Sequence, residues 1–137
     1  MENCIFCKIV KKSIPAHIVF EDDKVMVILD ISQTTKGHSL LLFKNHSDNL
    51  TLTSDSDLEH GLKIVKRVVS KQLQQLSNIK GVNIINNVLA GAGQSVMHTH
   101  IHMVPRYHDD SFKISWVNHK EEYSADDLKR IQQLLML

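Results

Sequence analysis

Three histidines stand at alternate positions in His98-Thr99-His100-Ile101-His102, closed by Met103-Val104-Pro105 and preceded by Gly91-Ala92-Gly93-Gln94-Ser95. Imidazole has an ordinary pKa of about 6.5, so at neutral pH it can serve as nucleophile, proton carrier or metal ligand. In a strand, the period of two sets His98, His100 and His102 on one face, about 6.6 Å apart, and Thr99, Ile101 and Met103 on the other. Used for packing alone, such a row would need a partner for every ring nitrogen, so the pattern points to a ligand or a reaction. The flanking turn narrows the chemistry. Gly91 and Gly93 let a ligand approach the backbone, and Gln94 and Ser95 add side-chain donors, which suits a phosphate held where an imidazole can attack it.

Cys4 and Cys7 form the second chemical cluster, and they are the only two cysteines. One CxxC gives no disulfide framework of the kind small secreted domains use. Three readings of it stand open: a redox pair, two buried thiols, or half of a zinc site whose other ligands come from the histidine-rich remainder. A redox pair prefers a helix start after a strand, and this position near the N-terminus does not supply one.

The elements that must carry these residues follow from hydrophobic spacing. Cys4 to Val10 reads as a short helix or knuckle ending before Ser13-Ile14-Pro15. Ile18 to Glu21 and Val25 to Asp30 read as a hairpin across Asp22-Asp23-Lys24, and His38 to Phe43 as a further strand. Leu58, Leu62, Val65, Val69, Leu73 and Leu76 recur at helical spacing and predict a long helix over 57–76, with Ser56 and Glu59 as its capping box. Gly81 to Asn87 is a strand, the glycine turn follows, and the histidine strand lies antiparallel to it. The segment 107–123 is polar and irregular. Ser124 opens a terminal helix with Leu128, Ile131, Leu134 and Leu135 on one side. An antiparallel sheet with one long packing helix and terminal helices is an α+β fold, its histidine face opposite the long helix.

A chain of 137 residues with 42% hydrophobic content supports one domain, spanning 1–137. Sixteen Lys and Arg against 15 Asp and Glu leave a net charge of +1, too little to attract nucleic acid. No apolar run approaches the roughly 18 residues of a membrane span, and Met1-Glu2-Asn3-Cys4 begins no signal peptide, so the expectation is a cytoplasmic protein without membrane partners.

The stretch from His98 to Val104 resembles the signature of the histidine triad (HIT) family. The resemblance continues through Cys4 to Ile9, Ile14-Pro15-Ala16, Glu21-Asp22, Leu29-Asp30-Ile31, Gly37-His38, Lys44-Asn45-His46 and Gly93-Gln94-Ser95-Val96. The chain is most similar to small bacterial members of the nucleotide phosphoramidase branch. That resemblance implies a homodimer extending the sheet, and hydrolysis of the bond between a purine nucleoside monophosphate and its leaving group through a nucleotidyl-histidine intermediate. It implies His100 as nucleophile, His102 as phosphate ligand and His38 as part of the histidine network. Gln94, Ser95 and Asn87 would contact the phosphate end, Asp30 the ribose, and Ile28 and Ile31 the base. It also implies one structural zinc per chain on Cys4, Cys7, His46 and His98, and no catalytic cofactor. The neighbouring readings are a dinucleoside polyphosphate hydrolase and a nucleotide-binding regulatory protein with little turnover.

Overall fold

Short apolar runs at 25–29 and 39–43, buried on both faces, build the middle of one sheet. In the computed structural model, which describes residues 3–137, α1 (Ile5–Val10) precedes the hairpin of β1 (Ile18–Glu21) and β2 (Val25–Leu29). Then come β3 (Ser39–Phe43), the long helix α2 (Asp55–Gln75), β4 (Gly81–Ile85), β5 (His100–Arg106) and the terminal helix α3 (Ala125–Leu135). The strand order is β1-β2-β3-β5-β4, with every neighbouring pair antiparallel. This is the expected α+β architecture in the expected order. No helix among the described residues is long and apolar enough to cross a membrane.

The sheet is covered on both faces. Val25, Val27, Leu41, Phe43, Ile101 and Met103 pack with Ile64, Val65 and Val68 of α2. Met26, Ile28, Leu40 and Leu42 pack with Phe6 and Ile9 of α1. Directly opposed residues of an antiparallel pair share a face, and β3 pairs Leu42 with His100 and Leu40 with His102. Both histidines therefore lie on the α1 side, away from α2. His98 does not share their strand, contrary to expectation. It sits in a bend just before β5, where its N–H donates to the Val96 carbonyl and Thr99 N–H donates to Ser47. Pairing with the 44–49 loop instead of β3 frees its ring from the two-residue period.

The long helix meets the sheet along a different stripe from the one its leucines suggest. Gly61, Ile64, Val65, Val68 and Gln72 are buried, Leu58 and Val69 are half-buried, and Leu62 and Leu73 are exposed. Gly61 sets this rotation, because a Cβ there would lie 2.5 Å from Phe43 Cε1 and 2.6 Å from its Cζ. The N-cap is Ser54, not Ser56: Ser54 Oγ accepts from Asp57 N at 3.1 Å, while Ser56 Oγ accepts from Lys24 Nζ.

After β5 the chain leaves the sheet through Arg106, whose guanidinium donates to Asn83 and Asp110 and lies over the Phe112 ring. Segment 107–123 is irregular apart from a 3-10 turn at Lys120–Glu122. Ser124 and Asp127 form a capping box at α3. Leu128, Ile131, Leu134 and Leu135 are all exposed.

Gly61→Ala tests the close approach of helix and sheet. Glycine to alanine in a helix ordinarily stabilises by about 0.5–1 kcal/mol, whereas forcing a methyl into a filled core costs about 1–3 kcal/mol. Phe43 is fully buried and cannot swing away, so the variant should lose stability in urea denaturation. A gain would overturn this account of the helix rotation.

Candidate active site and metal centre

His100 is held by its own chain. Its Nδ1 lies 2.6 Å from the His98 carbonyl, and a carbonyl can only accept, so the proton sits on Nδ1 and Nε2 keeps a bare lone pair. Phe6 packs edge-on against the ring at 4.9 Å. Asn86 Nδ2 donates to the His100 carbonyl at 2.9 Å, fixing the backbone as well. Burial lowers the His100 pKa below its ordinary value, against the opposing effect of the His98 carbonyl. At neutral pH the ring is uncharged.

His102 and His38 form a second unit. His38 Nε2 and His102 Nδ1 are 2.9 Å apart, and His38 Nδ1 is buried without a hydrogen-bond partner among the described residues. A proton on that Nδ1 would be a buried orphan donor, at a cost of about 1–3 kcal/mol. The low-cost arrangement puts the proton on His38 Nε2, donating to His102 Nδ1, and leaves His102 with Nε2–H. Asp30 favours it, with Oδ2 3.8 Å from His38 Nε2. Burial, then His100 and His38, lowers the His102 pKa to about 4. Burial lowers that of His38 too, with Asp30 opposing. Burial would raise the Asp30 pKa, but hydrogen bonds from Ser32 N at 2.8 Å and Ser32 Oγ at 2.6 Å, with both histidines nearby, bring it below the ordinary carboxylate value.

The glycine turn is shaped from within. Gln94 is buried, its Nε2 donates to the Asp48 and Val96 carbonyls at 2.6 and 3.0 Å, and its Oε1 accepts from Leu89 N at 2.7 Å. These bonds commit its amide to the turn. They hold Leu89 at φ +72°, a conformation costly for a residue with a Cβ, while Gly93 takes φ +95° freely. Asn87 Nδ2 reaches across to the Gly93 carbonyl at 3.4 Å. Ser95 is exposed beside the turn. Ile28 is buried in the α1-side core, whereas Ile31 is 93% exposed at the rim.

The second cluster joins residues from three distant segments. Cys4, Cys7, His46 and His98 place one ligand atom each within 4.8 Å of one another. Cys4 Sγ lies 3.3 Å from His98 Nδ1, Cys7 Sγ 3.2 Å from His46 Nδ1, and the two Nδ1 atoms are 3.1 Å apart. Tetrahedral zinc with Zn–N of about 2.05 Å and Zn–S of about 2.3 Å separates N from N by about 3.3 Å and N from S by about 3.6 Å.

The tautomers sharpen the fit. His98 Nε2 donates to the Phe43 carbonyl at 2.7 Å and His46 Nε2 to Asp48 Oδ1 at 3.0 Å, which leaves the two Nδ1 atoms, turned toward each other, as the ligating positions. Burial lowers the His98 pKa to about 4, which keeps that ring neutral and its Nδ1 available to a cation. The donor set fits zinc. All four of its positions would be filled by protein, which makes the role structural.

Sequence reasoning gathers His38, Asp30, His100 and His102 at one place, and Cys4, Cys7, His46 and His98 at another. It passes over Asp48, Asn86, Phe6 and the Phe43 carbonyl. Only Asp48 leaves a signal in sequence, the His46-Ser47-Asp48 spacing. A main-chain oxygen or an apolar ring has no distinctive residue type to find.

A family model for the HIT domain matches residues 11–109, which include β5, the glycine turn, His38 and His46. The chain is 40% identical over 134 residues to Protein hit of Bacillus subtilis, covering 95% of this chain and 90% of that one. It is similar to the crystal structure of a HIT family protein from Bacillus anthracis, with TM-score 0.92 and 36% identity over 98% of this chain and 95% of that one. It is also similar to a zinc-bound histidine triad family protein from Mycobacterium smegmatis, with TM-score 0.77 and 32% identity over 88% of this chain and 87% of that one. With His100 and His102 on one strand, His38 beside them and this identity over nearly the whole length, the chain belongs to the histidine triad family.

Proposed function

We propose that this protein hydrolyses the bond between a purine nucleoside monophosphate and its leaving group, as expected of the nucleotide phosphoramidase branch. The observation that carries the reading is the bond from His100 Nδ1 to the His98 carbonyl, which leaves Nε2 bare and aimed by its own strand. Nε2 attacks the α-phosphorus, a P–N bond forms, and the bond to the leaving group breaks with its electron pair departing on that group. Water then attacks the same phosphorus, the P–N pair returns to Nε2, and in sum hydroxide is added to phosphorus and a proton to the leaving group. A neutral imidazole is required for the first step, and burial of His100 supports it.

The other groups orient and stabilise. His102 Nε2–H donates toward the phosphoryl oxygens as charge accumulates, and His38 keeps that proton on Nε2. Asp30, with Oδ1 taken by Ser32, offers Oδ2 to a ribose hydroxyl. Ser95 and Asn87 serve the phosphate end, and Gln94 acts by shaping the turn. Ile31 at the rim and Ile28 behind it flank the base. Cys4, Cys7, His46 and His98 hold one structural zinc, which ties the N-terminal segment to the start of β5.

A homodimer completes the proposal. The outer edge of β4 has no partner strand among the described residues, and exposed Ile84 lies beside exposed Leu62 of α2. The apolar side of α3 and Trp116, 91% exposed, are likewise uncovered within one chain. A two-fold partner covers such surfaces and brings the 107–123 segment toward the neighbouring site.

His100→Ala should lower kcat/KM on adenosine 5′-phosphoramidate by roughly three orders of magnitude or more while AMP still binds. Rapid quenching with labelled substrate should leave label on His100 in the parent; label on His98 or His102 would sink the assignment. In the parent, kcat/KM should hold as pH falls through about 6.5, where an exposed histidine is half-protonated.

Stability should behave differently from activity. Burial lowers the folded pKa of His38, and that of His102 to about 4, from the unfolded value of about 6.5, so as pH falls below about 6.5 the unfolded chain binds more protons. Their contribution is complete above about pH 6.5 and is lost as pH falls toward about 4. The denaturation midpoint should drop across this window and drop less in His102→Gln; equal slopes would refute it. Sedimentation should give a mass near twice 15.6 kDa, and a concentration-independent monomer with full activity would remove the dimer.

A further inference from the structure

Asp48 stands between the metal centre and the phosphate-side turn. Its carboxylate accepts from His46 Nε2 at 3.0 Å, and its backbone carbonyl accepts from Gln94 Nε2 at 2.6 Å. A histidine that ligates through Nδ1 must carry its proton on Nε2, and an acceptor there fixes both tautomer and ring orientation. His98 has the Phe43 carbonyl for this purpose. His46 has the Asp48 carboxylate in the same role, at 3.0 Å. The Asp48 side chain is 58% exposed and, with Asn3, Cys4 and Ser95, lines a cleft of ≈ 470 Å³ that gives an ion a way in.

The other side of the same residue is committed inward. Gln94 is 3% exposed, and its amide is shared among the Asp48, Leu89 and Val96 backbone groups. If the Asp48 carbonyl moves, one of the two Nε2–H donors loses its acceptor and only the bond to Val96 remains on that nitrogen. Leu89, held at φ +72°, depends on that amide.

We propose that Asp48 is a positioning residue: its carboxylate fixes His46 for zinc, and its carbonyl, through Gln94, passes the order of the metal centre to the turn that receives the phosphate. The proposal rests on the zinc reading above, and its test separates the two. Zinc affinity of the full-length, untagged protein is measured by competition with a chromophoric chelator for the parent, Asp48→Asn and Asp48→Ala. Histidine nitrogen shifts are read by NMR, and AMP affinity is measured with and without zinc.

Asp48→Ala should weaken zinc binding by about 10–100-fold, and Asp48→Asn by less, because its amide oxygen still accepts from His46. The His46 nitrogen shifts should report Nε2–H with zinc on Nδ1 in the parent. Zinc removal should weaken AMP binding several-fold in the parent, and saturating zinc should restore parental AMP affinity to Asp48→Ala, whose carbonyl remains. Circular dichroism of zinc-saturated Asp48→Asn guards against a folding defect in the alanine variant. A parent that binds no zinc overturns both the proposal and the metal reading. Parental zinc affinity in Asp48→Ala, with zinc binding lost in Cys7→Ser, overturns the role of Asp48 alone, and AMP affinity indifferent to zinc overturns the link to the turn.

Discussion

The peptide unit of His98 is the junction on which the site depends. Its ring enters the cysteine cluster through Nδ1, its Nε2 is anchored on the Phe43 carbonyl, and its own carbonyl takes the Nδ1 proton of His100. Each bond constrains the next. With Nε2 anchored, Nδ1 is a lone pair that can only be a ligand or an acceptor; with the carbonyl anchored, the opposite nitrogen of His100 is the one left bare. Hydrogen bonds to such buried groups contribute modestly when made and cost about 1–3 kcal/mol when broken. They therefore act chiefly by excluding alternative tautomers.

The junction needs a stiff support on both sides. β3 and β5 lie at the centre of the sheet, and Leu41, Phe43 and Met103 are fully buried beneath α2. Gly61 lets that helix come down onto Phe43, whose carbonyl anchors His98. On the other face, Phe6 belongs to α1, sits between the two cysteines in sequence, and packs edge-on against both His98 and His100. The short N-terminal helix and its cap thus bring Cys4 and Cys7 to the histidine cluster and, through Phe6, an apolar ring to the start of β5.

Burial has a price in protonation that function can use. Rings taken out of water lose their tendency to charge, so His98, His100, His102 and His38 all have depressed pKa values. For an attacking nitrogen or a metal ligand the uncharged ring is the working form. By linkage, the same depression makes the unfolded chain the better proton acceptor in acid.

Residue types and their spacing determine the period of the elements, their order and the α+β class, and the family resemblance supplies the two groups of residues that meet. The apolar runs of β2 and β3, helical spacing from Leu58 onward and the Ser124 cap are local, and local geometry follows from residue type. Tertiary structure decided which side of α2 is buried, because Leu62 and Leu73 satisfy the helical period as well as Gly61 and Val68 but only the glycine stripe fits against Phe43. It also decided that His98 leaves the strand of His100 and His102, since pairing of Thr99 with Ser47 is a contact between distant segments. The commitment of Gln94 to the turn was settled in the same way, by the Asp48 carbonyl, which reaches it only when separate segments pack together.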